Sequence, residues 1–201
     1  MTRVIAGAAG GRRLDVPPSG TRPTSDRVRE ALFSALDHDP GLGGAAVLDV
    51  CAGSGALGLE ALSRGAADAV FVEADKRAAG VLRRNVGSVG LGGRVVAGRA
   101  GTVLAGPAPR TFDVVLVDPP YAVGDAEIAG WLTAAAGNGW LAGDAVVVVE
   151  RAKGSGDFAW PAGFEPGRSR RYGDTVLHHA RHTGAVSDPD GPRGPVGRPE
   201  R

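Results

Sequence analysis

Cysteine is almost missing from this chain: of 201 residues only Cys51 is one, and histidine occurs four times. A lone cysteine excludes an intrachain disulfide framework, and no Cys/His clustering has the spacing of a zinc site. His178, His179 and His182 crowd together near the end but read as strand and post-strand surface, so no metal is expected. No unbroken apolar run approaches the roughly 20 residues of a membrane span. The first residues lack the basic-then-apolar layout of a signal peptide, and the expected compartment is the cytoplasm. A large excess of one charge is also absent, the net charge being +1. What remains is 43% apolar content, enough for one substantial core in a single domain.

The most informative residues are Asp118-Pro119-Pro120-Tyr121. They follow Phe112 to Val117, an apolar run that reads as a buried parallel strand. Open α/β sheets bind ligands at the carboxyl ends of such strands. The tetrapeptide suits a planar base with an exocyclic amine. The Asp118 carboxylate and the Pro119 carbonyl can both accept from its NH2, drawing the nitrogen lone pair toward an electrophile. Pro120 stiffens the loop and brings no competing N–H. Tyr121 offers a stacking face. A strand-end acid followed by a rigid turn is the plainer alternative.

A second site lies upstream, where a strand (about Val47 to Val50) runs into Cys51-Ala52-Gly53-Ser54-Gly55 and a helix is expected from near Ser54. Gly53 and Gly55 allow close ligand approach, and the helix N-terminus adds positive potential. Gly53-x-Gly55-x-x-Gly58 also matches a dinucleotide fingerprint and cannot choose the cofactor alone. Asp49 would repel a pyrophosphate but attract a cation, such as the aminoacyl end or sulfonium of S-adenosylmethionine (SAM). The next strand, Ala69 to Val72, ends at Glu73, well placed to accept two ribose hydroxyls. Asp75 reads as the N-cap of a helix from Lys76 to Val89.

Strand-helix alternation around Val47, Val70, Val95, Val114 and Val146 predicts a mostly parallel sheet. Thr24 or Ser25 can cap a helix running to about Leu36. Two short strands, Arg3 to Ala6 and Arg12 to Val16, read as an N-terminal hairpin whose removal leaves the sheet intact. Segments near Gly163 to Arg171 and Thr175 to Arg181 read as an antiparallel pair closing the sheet. The expected organisation is a hairpin extension (1–20), an α/β Rossmann-like domain (21–182) and a disordered tail (183–201) rich in Gly, Pro and charge.

Together these motifs resemble the class I SAM-dependent methyltransferases acting on base amines, and within them the bacterial RsmD family of 16S rRNA guanine-N2 methyltransferases. The resemblance is carried by Arg3-Val4-Ile5-Ala6-Gly7, by Arg22 to Phe33 (RPTSDRVREALF), by Ala52 to Gly65 (AGSGALGLEALSRG), by Asp118 to Tyr121 and by Asn138-Gly139-Trp140-Leu141. It implies a SAM site built from Asp49, Cys51, Ala52, Gly53, Ser54, Gly55, Glu73, Ala74, Arg99 and Ala100. It implies catalysis by Asp118, Pro119, Pro120 and Tyr121. RNA contacts are implied from Arg3, Arg12 and Arg13 of the hairpin and from Arg22, Thr24 and Arg27. The implied partner is 16S rRNA or the assembling 30S subunit, met by a monomer. Two positions depart from the family pattern. Cys51 stands where phenylalanine is common, and Arg99 stands where Asp or Asn usually accepts from the adenine amine. Arginine cannot accept a hydrogen bond.

Charge is unevenly spread. Residues 1–30 carry six arginines against three acids, and residues 163–182 four against two, while 31–162 hold ten bases and fourteen acids. Basic flanks beside an acidic pocket suit a phosphate backbone. The expected mechanism uses no metal and no covalent enzyme intermediate, because SAM brings its own leaving group. Adenine-N6 methylation and a non-catalytic rRNA assembly factor are the competing functions. A nicotinamide oxidoreductase would leave Asp118 to Tyr121 without a purpose.

Overall fold

The computed structural model describes residues 2–17 and 24–184. Arg22 and most of the expected tail lie outside the described residues. The elements run β1 (Thr2–Arg3), β2 (Arg13–Leu14), α1 (Asp26–His38), β3 (Ala46–Val50), α2 (Ala56–Ser63), β4 (Asp68–Glu73), α3 (Lys76–Val89), β5 (Arg94–Ala97), α4 (Ala100–Leu104), β6 (Phe112–Val117), α5 (Asp125–Gly137), β7 (Leu141–Ala152), β8 (Phe164–Pro166), β9 (Arg170–Tyr172) and β10 (Thr175–His182). The main sheet is ordered β5-β4-β3-β6-β7-β10-β8, with β9 also paired to β10. Strands β3 to β7 are parallel, and β10 runs antiparallel to β7. The order reverses between β3 and β6, which opens a crevice at their carboxyl ends.

The central strands are apolar on both faces, as a sheet covered on both sides requires. Val47, Phe71, Leu116 and Val148 face the layer containing α1, α2 and α3. Leu48, Val70, Val115 and Val147 face the layer of α4 and α5. This period of two also fixes the phase of the strand ends. Asp49, Glu73, Asp118 and Glu150 all share the phase of the first layer.

Several boundaries differ from the expectations. Ser25 caps α1, its side chain accepting from the Val28 N–H, and the helix continues to His38. Helix α2 starts at Ala56, two residues beyond Ser54, after the left-handed Gly55. The expected single strand near 163–171 is two, β8 and β9, which pair with successive parts of β10. His178 and His182, expected at the surface, are buried. The Nδ1 of His178 lies 3.0 Å from Ser169 Oγ, and that of His182 lies 2.8 Å from the Ala142 carbonyl oxygen.

The N-terminal hairpin has only two residues per strand, yet it is keyed into the domain. Glu60 of α2 is fully buried and accepts from the N–H groups of Ile5 (2.6 Å) and Ala6 (3.1 Å) and from Arg64 Nε (2.7 Å). Arg29 of α1 is also fully buried and donates through Nη2 to the Arg3 carbonyl at 2.7 Å. Val4, Ala9 and Leu14 join the core. Removing residues 1–20 would therefore leave a buried carboxylate without its backbone donors, a costly vacancy. As expected, the hairpin contributes no strand to the main sheet, but its removal would disturb the helices packed on that sheet.

Gly58 is where α2 meets β4 most tightly. A methyl group there would lie 2.3 Å from Phe71 Cε1 and 2.9 Å from its Cζ, against a fully buried ring. Gly58→Ala is expected to destabilise the fold by about 1–3 kcal/mol through overpacking. Denaturant unfolding checks this, and unchanged stability would show that Phe71 can yield.

Candidate active site

The glycine-rich turn is held by the acid at the end of the neighbouring strand. Cys51 (φ 64°), Gly53 (φ 55°) and Gly55 (φ 81°) all take left-handed conformations. A non-glycine residue there costs free energy and persists only where its surroundings hold it. The surroundings do so: Ala52 N–H donates to the Val72 carbonyl at 3.0 Å. Glu73 Oε2 accepts from Gly53 N–H and Oε1 from Asp75 N–H, both at 2.8 Å. Asn85 of α3 adds a third tie, donating to the Ser54 carbonyl (2.8 Å) and the Asp15 carbonyl (2.9 Å). Sequence reasoning missed Asn85, since a polar residue on a helix carries no local sign of its partners.

Asp49 is fully buried. Its Oδ2 accepts from Gly58 N–H at 2.8 Å, while Oδ1 has no partner among the described residues. Burial, followed by the nearby negative Glu73, raises its pKa to about 7 against the opposing Gly58 hydrogen bond. The Cys51 thiol is pushed up to about 12 by burial and by Glu73, Asp118 and Asp49, so it stays protonated and is no nucleophile.

These groups surround a cavity of about 580 Å³, within the range of small-molecule sites. Asp49, Cys51, Ala52, Gly53 and Ser54 form one wall, and Glu73 and Ala74 a second. Arg99 and Ala100 line a third, with the Arg99 side chain exposed. Asp118 and Pro120 close the side at β6. Gly55 and Pro119 do not line the cavity. Tyr121 stands outside it with 61% of its surface exposed, at the mouth rather than within.

Thr24, expected to touch RNA, is buried in the site instead. Its Oγ1 lies 3.1 Å from Asp118 Oδ2 and 2.9 Å from Glu150 Oε2. Glu150, two residues before the end of β7, was not anticipated, although an apolar run closes on it just as that of β4 closes on Glu73. Burial and the Glu150 charge hold Asp118 well above the ordinary carboxylate range. Burial raises Glu150 too, and hydrogen bonds from Thr24 and Thr175 oppose that rise.

The remaining predicted RNA contacts divide. Arg12 Nη1 donates to the carbonyls of Ser88 (2.6 Å) and Val89 (3.3 Å), so it caps the last turn of α3. Arg3 pairs with Asp26 at 3.2 Å on the surface. Arg13 and Arg27 are exposed.

Among known proteins, the family described as conserved hypothetical protein 95 matches residues 2–181. Ribosomal RNA small subunit methyltransferase D of Escherichia coli K12 is 40% identical over 191 residues, covering 94% of each chain. The protein of that name from Haemophilus influenzae is 40% identical over 156 residues, 75% of this chain and 79% of the relative. A solved structure of a putative methyltransferase from Escherichia coli superposes with a TM-score of 0.79 at 37% identity, over 90% of this chain and 97% of that one. Sheet order, glycine-rich turn and strand-end acids together define a class I methyltransferase. Within that class the chain belongs to the conserved hypothetical protein 95 family, the RsmD family.

The Asp49 environment yields a stability prediction. Unfolded, its carboxyl titrates near 3.8, and folded at about 7, so the folded state holds more protons between these values. Stability from this group is full below about pH 4 and is lost as the pH rises through about 7. Asp49→Asn should remove that share of the decline, flattening the profile of thermal midpoint against pH. Profiles that run parallel would place the titration elsewhere.

Proposed function

We infer that the protein methylates the exocyclic N2 amine of a guanine in 16S rRNA, with SAM as methyl donor. The reading rests most on Asp118-Pro119-Pro120-Tyr121 at the end of β6. It puts a carboxyl on the cavity wall and a stacking face at its mouth. The names of the relatives at 40% identity support rRNA as the substrate, which belongs with ribosomes in the cytoplasm.

The cavity residues fit SAM. Asp49 Oδ1 is a buried acceptor without a partner, which a cationic amine would satisfy. Glu73 spends one lone pair of each oxygen on backbone N–H groups and keeps others for ribose hydroxyls. Adenine recognition falls to backbone groups near Arg99 and Ala100. SAM supplies a methyl group already bound to a good leaving group, so the protein aligns, desolvates and manages a proton. Tyr121 stacks the base, and the Pro119 carbonyl and Asp118 accept from its amine. Outside the cavity, Arg13 and Arg27 meet phosphate, as exposed cations of the hairpin and α1.

Incubation with labelled SAM and naked 16S rRNA, 30S subunits or DNA, followed by nucleoside analysis, tests the reading. N2-methylguanosine in the rRNA is expected, and N6-methyladenine or labelled DNA would overturn it. Asp118→Ala should lower turnover by at least about a hundredfold while SAM affinity stays near wild type. Near-normal turnover would remove Asp118 from the chemistry. Reversing both exposed charges, Arg13→Glu with Arg27→Glu, should weaken rRNA binding and make its salt dependence shallower. Filter binding across a salt series reads both, and an unchanged slope would exclude these two arginines from the interface.

A further inference from the structure

The contacts of Thr24 demand a proton that the sequence motifs do not account for. A threonine hydroxyl has one hydrogen and can donate to one acceptor only. Yet Oγ1 is within hydrogen-bonding distance of Asp118 Oδ2 (3.1 Å) and of Glu150 Oε2 (2.9 Å). If it donates to one carboxylate, the other oxygen can make its contact only as a protonated acid, donating back to Oγ1. Two ionised carboxylates would leave one pair of oxygens repelling at that distance. Glu150 Oε1 lies 3.4 Å from the Thr175 hydroxyl on β10, which fixes the orientation of its carboxyl.

We propose that Glu150 is a second carboxyl of the active site, sharing one proton with Asp118 across the Thr24 hydroxyl, and that it frees Asp118 to accept the proton of the methylated amine. This rests on the amine-methylation reading above. With the shared proton on Asp118, that residue cannot act as a base. Transfer of that proton to Thr24 Oγ1, as the threonine gives its own hydrogen to Glu150, leaves Asp118 ionised and facing the amine. Methyl transfer leaves the nitrogen cationic. An N–H bond then breaks, nitrogen keeps the electron pair, and an O–H bond forms on Asp118. Both carboxyls are then protonated, and one proton passes to solvent before the next cycle. Asp118 and Glu150 are both partly accessible, which gives that proton a way out. This behaviour is that of two interacting acids whose titrations belong to the pair.

Other ionisable groups face the same cavity. Asp49 and Cys51 stand at the end of β3, Glu73 and Asp75 at the end of β4 and Arg99 after β5, while Arg29 comes from α1 and Glu127 from α5. Arg151, next along β7, is engaged with Asp125 at 2.8 Å. None of these changes in the substitutions that follow, so a displaced profile reports on Glu150.

Glu150→Gln keeps the size and donates an amide hydrogen to Thr24 Oγ1, imitating the protonated acid. It removes the negative neighbour that keeps a proton on Asp118. The acid limb of the kcat–pH profile should therefore move to lower pH, by about one pH unit or more. SAM affinity and the KM for rRNA should stay near wild type. Thr24→Val breaks the bridge and should lower kcat roughly tenfold or more, and Thr24→Ser, which restores the hydroxyl, should recover most of it. A merely structural Glu150 would leave the limb of Glu150→Gln superposed on wild type, and that result overturns the proposal. Equal loss in Thr24→Ser and Thr24→Val also overturns it. Calorimetric SAM binding by each variant confirms that it is folded. The wild-type product is identified first by nucleoside analysis. A different methylated amine would sink the guanine-N2 reading alone, whereas an unmoved acid limb with N2-methylguanosine formed would sink this inference alone.

Discussion

Four carboxyls crowd one end of one sheet face, and a poorly solvated pocket does not hold four negative charges cheaply. Asp49, Glu73, Asp118 and Glu150 terminate successive parallel strands in the same phase. Each is handled differently. Glu73 is spent on two backbone N–H groups and thereby shapes the glycine-rich turn. Asp49 is fully buried with one such donor and one oxygen that has no partner among the described residues, and burial raises its pKa. Asp118 and Glu150 have only a hydroxyl between them. Burial, reinforced by the same charge density, keeps the Cys51 thiol protonated.

The hairpin and the first helix are part of this arrangement rather than additions to it. Glu60 and the Nη2 of Arg29, both buried, are engaged chiefly by residues 2 to 6 and by neighbours on their own helices, while Arg29 Nε and Nη1 have no partner among the described residues. That anchoring sets the start of α1, and Thr24 is the residue immediately before its cap. Asn85 links the hairpin's far end, through Asp15, to the turn at Ser54. The strand that carries exposed Arg13 and the turn that lines the cavity are thus joined by a single side chain.

What could be read from the sequence was whatever depended on near neighbours. The apolar run Phe112 to Val117 ended at Asp118-Pro119, so the strand and the acid that it brings to the cavity wall were both visible. Asp75 marked the start of α3, since an Asx cap acts within three residues, and its side chain does accept from Ala78 N–H. Thr24 and Glu150 were not visible because their partners lie 94 and 126 positions away from Thr24 in the chain. Two adjacent residues competed for the cap of α1, and local pattern could not decide that Ser25 would take it. The burial of Glu60 was not legible either, because nothing near it in sequence announces that a hairpin will cover it. Arg12 was legible as a cation but not as the cap of another helix's last turn.

The threading of the last strand has a bearing on how the chain is made. β10 lies between β7 and β8, so β7 is left as an open edge until residues 175–182 arrive. Emerging from a ribosome in sequence order, the parallel strands β3 to β7 can pair before β10 exists, with Val146 to Val149 presenting unpaired backbone. Glu150 meanwhile lacks Thr175. The surroundings of Glu150 are therefore completed only after the parallel strands can already have paired, when β10 is inserted against β7.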